Sequence, residues 1–103
     1  MPACGLRDRV AEVAARVREE GWPLAVVLNE HRVVLGRLRA RDLEASPDAV
    51  AAEIMLDGPR TVRGTRPVDQ LAGWLDERRI PGVLATTADG TLIGYVRRAD
   101  VPA

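Results

Sequence analysis

The chain has 103 residues and a formal net charge of zero, and all 15 of its basic residues are arginine. This length allows one domain with one hydrophobic core, and a hydrophobic share of 47% excludes a disordered chain. The balanced charge argues against a protein that binds nucleic acid or anionic membranes through general electrostatic attraction.

The sequence predicts a soluble protein of a reducing compartment. Its one cysteine, Cys4, cannot form an internal disulfide. No apolar stretch approaches the roughly 20 residues that span a bilayer. The N-terminus also lacks the charged and apolar regions of an export signal. We therefore expect a cytoplasmic protein.

The first predicted element is a short strand at Ala3 and Cys4, which we expect to be frayed because only these residues can serve as a strand before the first helix. The helix follows, because apolar residues recur at helical spacing and charged residues lie on its other faces. These apolar residues are Val10, Val13 and Val17. Gly21 ends the helix, and Pro23 prevents its continuation.

A hairpin comes next. Leu24 to Leu28 is a continuous apolar run of strand length, residues 29–32 form a turn, and Val33 to Leu38 returns as a second strand. A linker helix is then expected over Ala49 to Met55. Its start is predicted at Ser46 as the N-terminal cap, with Pro47 at the first helical position, and its break at Asp57-Gly58-Pro59.

The second half begins with a short strand at Thr61 and Val62. Pro67 lies where a proline in the first turn of a helix is tolerated, and this helix reaches about Arg79. Its buried stripe consists of Val68, Leu71 and Leu75. The remaining predicted strands, on either side of a turn at residues 88–90, are Val83 to Thr86 and Leu92 to Val96.

The two halves are copies of one unit. A shift of 58 residues aligns them without a gap and pairs seven identical residues between positions 10 and 42 of the first half. The identical residues in the first half are Val10, Ala14, Glu19, Pro23, Gly36, Arg39 and Asp42, and the apolar positions between them also match. The sequence therefore predicts an α+β fold of two tandem β-α-β-β-α units.

Neither unit is expected to be stable alone, because a hairpin with one covering helix leaves one face of its sheet exposed. We therefore expect the copies to pack around a pseudo-twofold axis, as small mixed sheets covered by helices. Clefts between such copies are natural positions for a ligand.

The end of each hairpin resembles the CBS-domain signature of a glycine, an apolar strand end, a threonine or serine, two free positions and an aspartate. The matching runs are Gly36 to Asp42 and Gly94 to Asp100. Arg79 to Leu84 is similar to the family's approach to its second strand, and Glu53 to Met55 with Pro59 to Val62 resembles the entry to a second repeat. The chain thus resembles a CBS pair, or Bateman module, from about residue 4 to residue 101.

This resemblance implies one domain over residues 1–103, with repeat one at about 3–45, a linker helix at about 46–56 and repeat two at about 60–102. It implies a regulatory module and not an enzyme. CBS pairs commonly bind adenosine-containing ligands (AMP, ADP, ATP or S-adenosylmethionine) in the clefts between repeats, and require no cofactor. Two pairs often associate, so we expect a homodimer that acts on an unidentified target protein.

The resemblance also implies roles for particular residues. Asp42 and Asp100 occupy the position whose carboxylate accepts hydrogen bonds from ribose hydroxyls. The candidate residues of the base pockets are Thr61, Val62 and Pro81 in the second copy, and Trp22 and Pro23 in the first. The aspartates have a second interpretation, because an aspartate at the start of a short helix also caps free backbone amides.

One position departs from the family pattern in both copies. Arg39 and Arg97 stand where the signature has a hydroxyl residue that contacts phosphate. An arginine can pair with a phosphate through two hydrogen bonds, which favours a phosphorylated ligand. It can equally pair with Asp42 or Asp100 and fill the cleft, which would leave no site. Both interpretations stay open on the sequence.

Other chemistry-bearing residues have simpler explanations. Trp74 either packs in the core or forms part of an oligomer interface, where tryptophan is favoured. His31 has no second histidine and Cys4 no histidine partner nearby, which argues against a metal site and against catalysis. Alternation would place Arg37, Arg39 and Arg41 on one side of a strand if the strand extended that far.

Three functions therefore remain to be distinguished. The first is a module that senses an adenine nucleotide, and the second is a dimerisation or protein-interaction module whose clefts are closed by arginine. The third is a protein that binds RNA or DNA through the three arginines, for which exposed aromatic residues to stack bases are lacking. We expect neither nucleic acid nor a membrane among the partners.

Overall fold

A computed structural model describes residues 1–57 and 61–102 of the chain. The chain divides into two compact units, Met1–Pro59 and Arg60–Ala103, called unit 1 and unit 2 below. Each unit contains one of the two sequence repeats and its own hydrophobic core. The single-domain organisation expected from the sequence stays a prediction.

Unit 1 contains a four-stranded sheet and three helices. Its elements are β1 (Ala3–Cys4), α1 (Val10–Glu20), β2 (Leu24–Leu28), β3 (Val34–Arg39), α2 (Ala40–Ala45), α3 (Ala51–Ile54) and β4 (Leu56–Asp57). The strand order is β1-β2-β3-β4. β1 runs parallel to β2, and the other two pairs are antiparallel. All five residues of β2 are buried.

Unit 2 repeats this plan with one strand fewer among its described residues. Its elements are β5 (Thr61–Arg63), α4 (Val68–Arg78), β6 (Gly82–Thr86), β7 (Leu92–Arg97) and a single 3₁₀ turn (Arg98–Asp100). The strand order is β5-β6-β7, with β5 parallel to β6 and β6 antiparallel to β7. The two units confirm the predicted α+β class and the tandem β-α-β-β unit.

The duplication extends to the hydrogen-bonding register. Ala3 pairs with Val26 in unit 1, and Thr61 pairs with Leu84 in unit 2, so both partners are displaced by the same 58 residues. The irregularity in the antiparallel pair also recurs, between Val27 and Leu28 in one unit and between Ala85 and Thr86 in the other. Helices α1 and α4 both end at a residue in the left-handed conformation, Gly21 (φ 70°) and Arg79 (φ 54°).

Each core is built from one face of a helix and the inward side chains of the sheet. In α1 the buried residues recur at helical spacing: Val10, Val13, Ala14 and Val17. In α4 the buried residues are Leu71, Ala72 and Leu75, whereas Val68, which was predicted in the buried stripe, is 53% exposed. Leu43 in α2 and Val101 after the 3₁₀ turn complete the two cores at equivalent positions, 2% and 6% exposed.

The predicted start of the linker helix was wrong. Ser46 is the C-terminal cap of α2, because a residue that precedes proline is disfavoured in the helical conformation, and Ser46 has φ −142° and ψ 65°. The linker helix begins only at Ala51. The segment between them serves α1 instead, since the backbone oxygens of Pro47 and Ala49 accept hydrogen bonds from the first amides of that helix, at 3.2 and 2.9 Å.

Two further expectations needed correction. The N-terminal strand is not frayed, because both of its residues pair with β2, the Pro2 carbonyl accepts a hydrogen bond from the Val26 amide at 3.1 Å, and Cys4 is buried. The linker helix ends at Ile54, before the predicted break, and Asp57 of that break lies in β4, where it pairs with Gly36 of β3. Gly58 and Pro59, the rest of that predicted break, lie outside the described residues. Within residues 1–57 and 61–102, no helix has the length and apolarity needed to span a bilayer.

We predict that Leu75→Ala lowers the free energy of unfolding by about 2–5 kcal/mol, because it removes a fully buried side chain from the core of unit 2. Val68→Ala, in the same helix but 53% exposed, is the matched control and should change stability by less than about 0.5 kcal/mol. Urea unfolding followed by circular dichroism measures both. Similar effects of the two substitutions would contradict the assignment of the buried face of α4.

Candidate functional site

The candidate residues of the second repeat lie at one end of the sheet of unit 2, where β5 and β6 begin and β7 ends. Arg97 pairs with Gly82 at the end of β7, next to Pro81. The Pro81 carbonyl accepts a hydrogen bond from the Arg98 amide at 2.7 Å, which holds the turn after β7 against the start of β6. Thr61 begins β5 and pairs two residues further along, with Leu84.

These residues differ in their accessibility. Thr61 and Pro81 are exposed, whereas Val62 is only 5% exposed and packs in the core of unit 2. This follows from the alternation of side chains along β5, which directs neighbouring residues to opposite faces. Of the three predicted base-pocket residues in this unit, Thr61 and Pro81 therefore have side chains that a ligand can contact, and Val62 does not.

The first repeat places its candidates on the same framework. Arg39 pairs with Leu24 at the end of β3, and the Pro23 carbonyl accepts a hydrogen bond from the Ala40 amide at 3.1 Å. Trp22, half-buried, and Pro23, exposed, precede β2 as Ile80 and Pro81 precede β6. Trp22, Pro23 and the last residue of β3 therefore lie at the same end of the sheet of unit 1.

In the first repeat, the aspartate and the arginine bind each other. Arg39 donates from Nε to Asp42 Oδ2 at 2.8 Å and from Nη2 to Asp42 Oδ1 at 3.1 Å. Asp42 Oδ2 also accepts the backbone amide of Arg39 at 3.3 Å, so the carboxylate caps the first turn of α2. Both oxygens of Asp42 therefore have donors from the chain itself, as the second interpretation of the arginine predicted for this copy.

The ion pair between Arg39 and Asp42 shifts the pKa values of both side chains. Hydrogen bonding to Arg39 is the largest cause that lowers the pKa of Asp42 below its ordinary value, and the same bond raises the pKa of Arg39. Because the folded state has the lower Asp42 pKa, the pair stabilises it above the unfolded-state value of about 3.9. This contribution is lost as the pH falls through the lowered pKa.

In the second repeat, the equivalent aspartate has a different environment. Asp100 is exposed at the last position of the 3₁₀ turn, and among the described residues nothing forms a hydrogen bond or an ion pair with its carboxylate. The sequence explains the short turn, because Pro102 disfavours a helical conformation at Val101. Val101 is accordingly extended, with φ −103° and ψ 121°. Arg97 is exposed at the end of β7.

Arg98 holds this turn in place, and the sequence reasoning missed it. Its Nε and Nη2 donate to the two carboxylate oxygens of Asp76 in α4, at 2.7 and 3.1 Å, and its Nη1 donates to the Val101 carbonyl at 2.8 Å. The hydrogen bond from Arg98 is the largest cause that lowers the pKa of Asp76. The partners are 22 positions apart on different elements, so no spacing rule could have identified the pair.

The three-arginine stripe does not form. β3 ends at Arg39, and Arg41 lies in α2. Arg39 is paired with Asp42, which leaves Arg37 of the predicted stripe. The Nε atom of Arg37 is buried and has no hydrogen-bond partner within the described part of the chain. The structure therefore lacks the row of cations on which the nucleic-acid hypothesis depended.

The structure also places the residues set aside as nucleophile or metal ligand. Burial is the largest cause that raises the pKa of the Cys4 thiol to about 11, so the thiol is protonated at neutral pH and a poor nucleophile. His31 lies in an exposed turn, 3.8 Å from Glu30. Across residues 1–57 and 61–102, no group of three or more His, Cys, Asp or Glu residues could hold a metal ion.

Comparison with solved structures reveals the relatives of this fold. The CBS domains of a transcriptional regulator from Streptococcus pneumoniae match with a TM-score of 0.84 and 23% identity, over 96% of this chain and 83% of that one. CBSX2 in complex with AMP matches with a TM-score of 0.83 and 20% identity, over 94% and 81%. The CBS domain pair of protein MJ0100, in complex with 5′-methylthioadenosine and S-adenosyl-L-methionine, matches with a TM-score of 0.79 and 20% identity, over 96% and 86%.

Comparisons of the sequence alone find no such relatives. No protein-family model matches the chain, and no curated protein is significantly similar to it. At 23% identity or less, the structural likeness concerns the fold, which is that of a CBS domain pair. The chain therefore keeps the fold of these structures with few of their residues.

We predict that Arg39→Gln raises the pKa of Asp42 toward its ordinary value, because the substitution removes the cation and the paired hydrogen bonds. Arg41→Gln is the control, since Arg41 is the weakest of the causes that lower this pKa. Titration of the side-chain carboxyl carbon by NMR measures both. An Asp42 midpoint that does not move in Arg39→Gln would contradict the pair.

Proposed function

Because the chain has the fold of a CBS pair, we propose that it is a regulatory module that binds an adenosine-containing ligand, of the class AMP, ADP, ATP or S-adenosylmethionine. Two structures of the same fold support this class, since the ligands named for them are all adenosine derivatives. The proposal includes no catalytic activity and no required cofactor. We further propose a cytoplasmic location, where the free thiol of Cys4 would stay reduced.

The observation that carries the proposal is the state of Asp100. Its exposed carboxylate lies beyond the end of β7, in the turn that is held against Pro81, and no partner for it exists among the described residues. A carboxylate with two acceptor oxygens can receive hydrogen bonds from two neighbouring ribose hydroxyls. Asp100 is therefore the proposed ribose acceptor.

The remaining roles in the second repeat follow from accessibility and charge. Thr61 and Pro81 are the exposed members of the proposed base pocket, while Val62 supports β5 from the core. Arg97 stands at the end of β7 and is the proposed phosphate contact, because a guanidinium can bind a phosphate through two parallel hydrogen bonds. In the first repeat, Trp22, Pro23 and Asp42 lie at the equivalent positions, but Asp42 is bound to Arg39.

A second candidate function is association without a ligand, and the Arg39–Asp42 pair favours it because it occupies one of the two aspartates. The surface that suits this function is the exposed part of α4. Trp74 is partly packed on the core, and its ring has the guanidinium groups of Arg78 and Arg66 at 4.3 and 5.2 Å from its centre. Tryptophan and arginine are the residues on which interfaces most often depend. We propose that this surface forms a homodimer.

We predict a saturable rise in melting temperature with one adenosine ligand in a panel of AMP, ADP, ATP and S-adenosylmethionine. A ligand at ten times its dissociation constant adds about 1.4 kcal/mol to the stability of the folded state, which corresponds to several degrees for a domain of this size. Asp100→Asn should weaken binding about tenfold or more, because a charged acceptor is lost. Asp48→Asn, an exposed aspartate in the turn after α2, is the matched control.

Two outcomes would overturn this proposal. A flat response to every ligand at millimolar concentration would remove the sensor function and leave association. Equal binding by the wild type and by Asp100→Asn, both folded as judged by circular dichroism, would remove Asp100 from the site.

We predict that the chain is a dimer and that Trp74→Ala shifts it toward the monomer, because the substitution removes the largest side chain of the proposed surface. Light scattering coupled to size-exclusion chromatography measures the mass. Leu6→Ala is the control, since Leu6 is an exposed apolar residue of unit 1 outside this surface. A monomeric wild type, or a Trp74→Ala variant that stays as dimeric as Leu6→Ala, would contradict the interface.

A further inference from the structure

We propose that Arg39 closes the first repeat to ligand, so that the chain binds one adenosine ligand, and that removal of this one side chain creates a second site. The inference rests on the proposed function, which supplies the ligand class.

The two repeats present the same framework at their candidate sites. In each, an arginine at the end of the third strand pairs with the first residue of the second strand, Arg39 with Leu24 and Arg97 with Gly82. In each, the carbonyl of the preceding proline accepts the amide that follows that arginine. The strands of the two candidate sites therefore have the same backbone arrangement, and the repeats differ in the turn that follows the last strand and in its side chains.

In the first repeat, Arg39 and Asp42 satisfy each other's hydrogen-bonding groups. Asp42 Oδ2 receives Nε and the backbone amide of Arg39, and Asp42 Oδ1 receives Nη2. The side chain of Asp42 is 22% exposed and that of Arg39 is 36% exposed, so the pair is partly accessible to solvent while its polar atoms are bound to each other. A ribose that needed the same two oxygens would have to displace a charged donor with a pair of neutral ones, which is unfavourable.

In the second repeat no arginine binds Asp100 within the described residues, and the position of Pro102 in the sequence explains this difference. α2 continues for six residues and sets Asp42 within its first turn, where the carboxylate faces back to Arg39. The equivalent turn in unit 2 stops at Asp100, because Pro102 keeps Val101 extended. The arginine that organises this turn is Arg98, and it binds Asp76 and the Val101 carbonyl instead of Asp100.

Arg39→Thr is the sharpest test of this inference. Threonine removes the guanidinium but is itself a good N-terminal cap for a helix, so α2 keeps its start. Arg41→Thr, on the same helix and without an ion pair to Asp42, is the matched control. Calorimetric titrations with AMP, ATP and S-adenosylmethionine, each on its own, measure the number of ligands bound per chain.

We expect one ligand per chain for the wild type and for Arg41→Thr, and two for Arg39→Thr. The new site should depend on Asp42, so Arg39→Thr combined with Asp42→Asn should return to one ligand. Arg39→Thr combined with Asp100→Asn should also bind one, now in the first repeat. Circular dichroism and thermal unfolding without ligand establish that each variant is folded.

The results separate this inference from the function on which it rests. No binding by the wild type or by Arg39→Thr overturns the proposed function itself. One ligand for both proteins overturns the role of Arg39 and leaves the function intact. Two ligands for the wild type, one of them lost in Asp42→Asn, show that the Arg39–Asp42 pair does not exclude ligand and also overturn the inference.

Discussion

The central strand of each unit is the constraint on which the rest of the structure depends. β2 and β6 each pair with a parallel strand on one side and with an antiparallel strand on the other, and every residue of β2 is buried. Because this strand is hydrogen-bonded on both edges, a slip of its register would break the ladders to both neighbouring strands at once. This register brings the ends of β3 and β7 to the prolines that precede β2 and β6, where the candidate sites lie.

The two repeats have the same strand pairing, but their aspartates, Asp42 and Asp100, differ in their hydrogen bonds. Asp42 caps the start of α2 and is ion-paired with Arg39, whereas Asp100 ends a short turn that Arg98 binds to α4. The difference traces to the residue two positions after each aspartate, Glu44 in α2 and Pro102 in unit 2, because only the proline stops a helix from continuing. Two repeats of the same fold can therefore have candidate sites that differ in their available side chains, and the fold alone does not assign a function.

Prediction from sequence succeeded where the signal was local or repeated. The bounds of the long helices and the hairpins followed from apolar periodicity, from Gly21 and from the turn residues, and the 58-residue shift recurs in the strand register. Prediction from sequence failed in the linker, because a serine followed by a proline is also typical of the start of a helix. Tertiary contacts decided that segment, because its carbonyls accept hydrogen bonds from the unpaired amides at the start of α1.

The sequence by itself determined the α+β class, the two tandem units and the positions of the candidate site residues, since these depend on periodicity, turn chemistry and internal repetition. Only the tertiary structure decided which arginine pairs with which aspartate. Arg39 had three possible partners by charge, a ligand phosphate, Asp42 or Asp100, and the geometry of the first turn of α2 selected Asp42. The Arg98–Asp76 pair joins elements 22 positions apart, and such a contact depends on how a helix and a sheet pack, which no local pattern encodes.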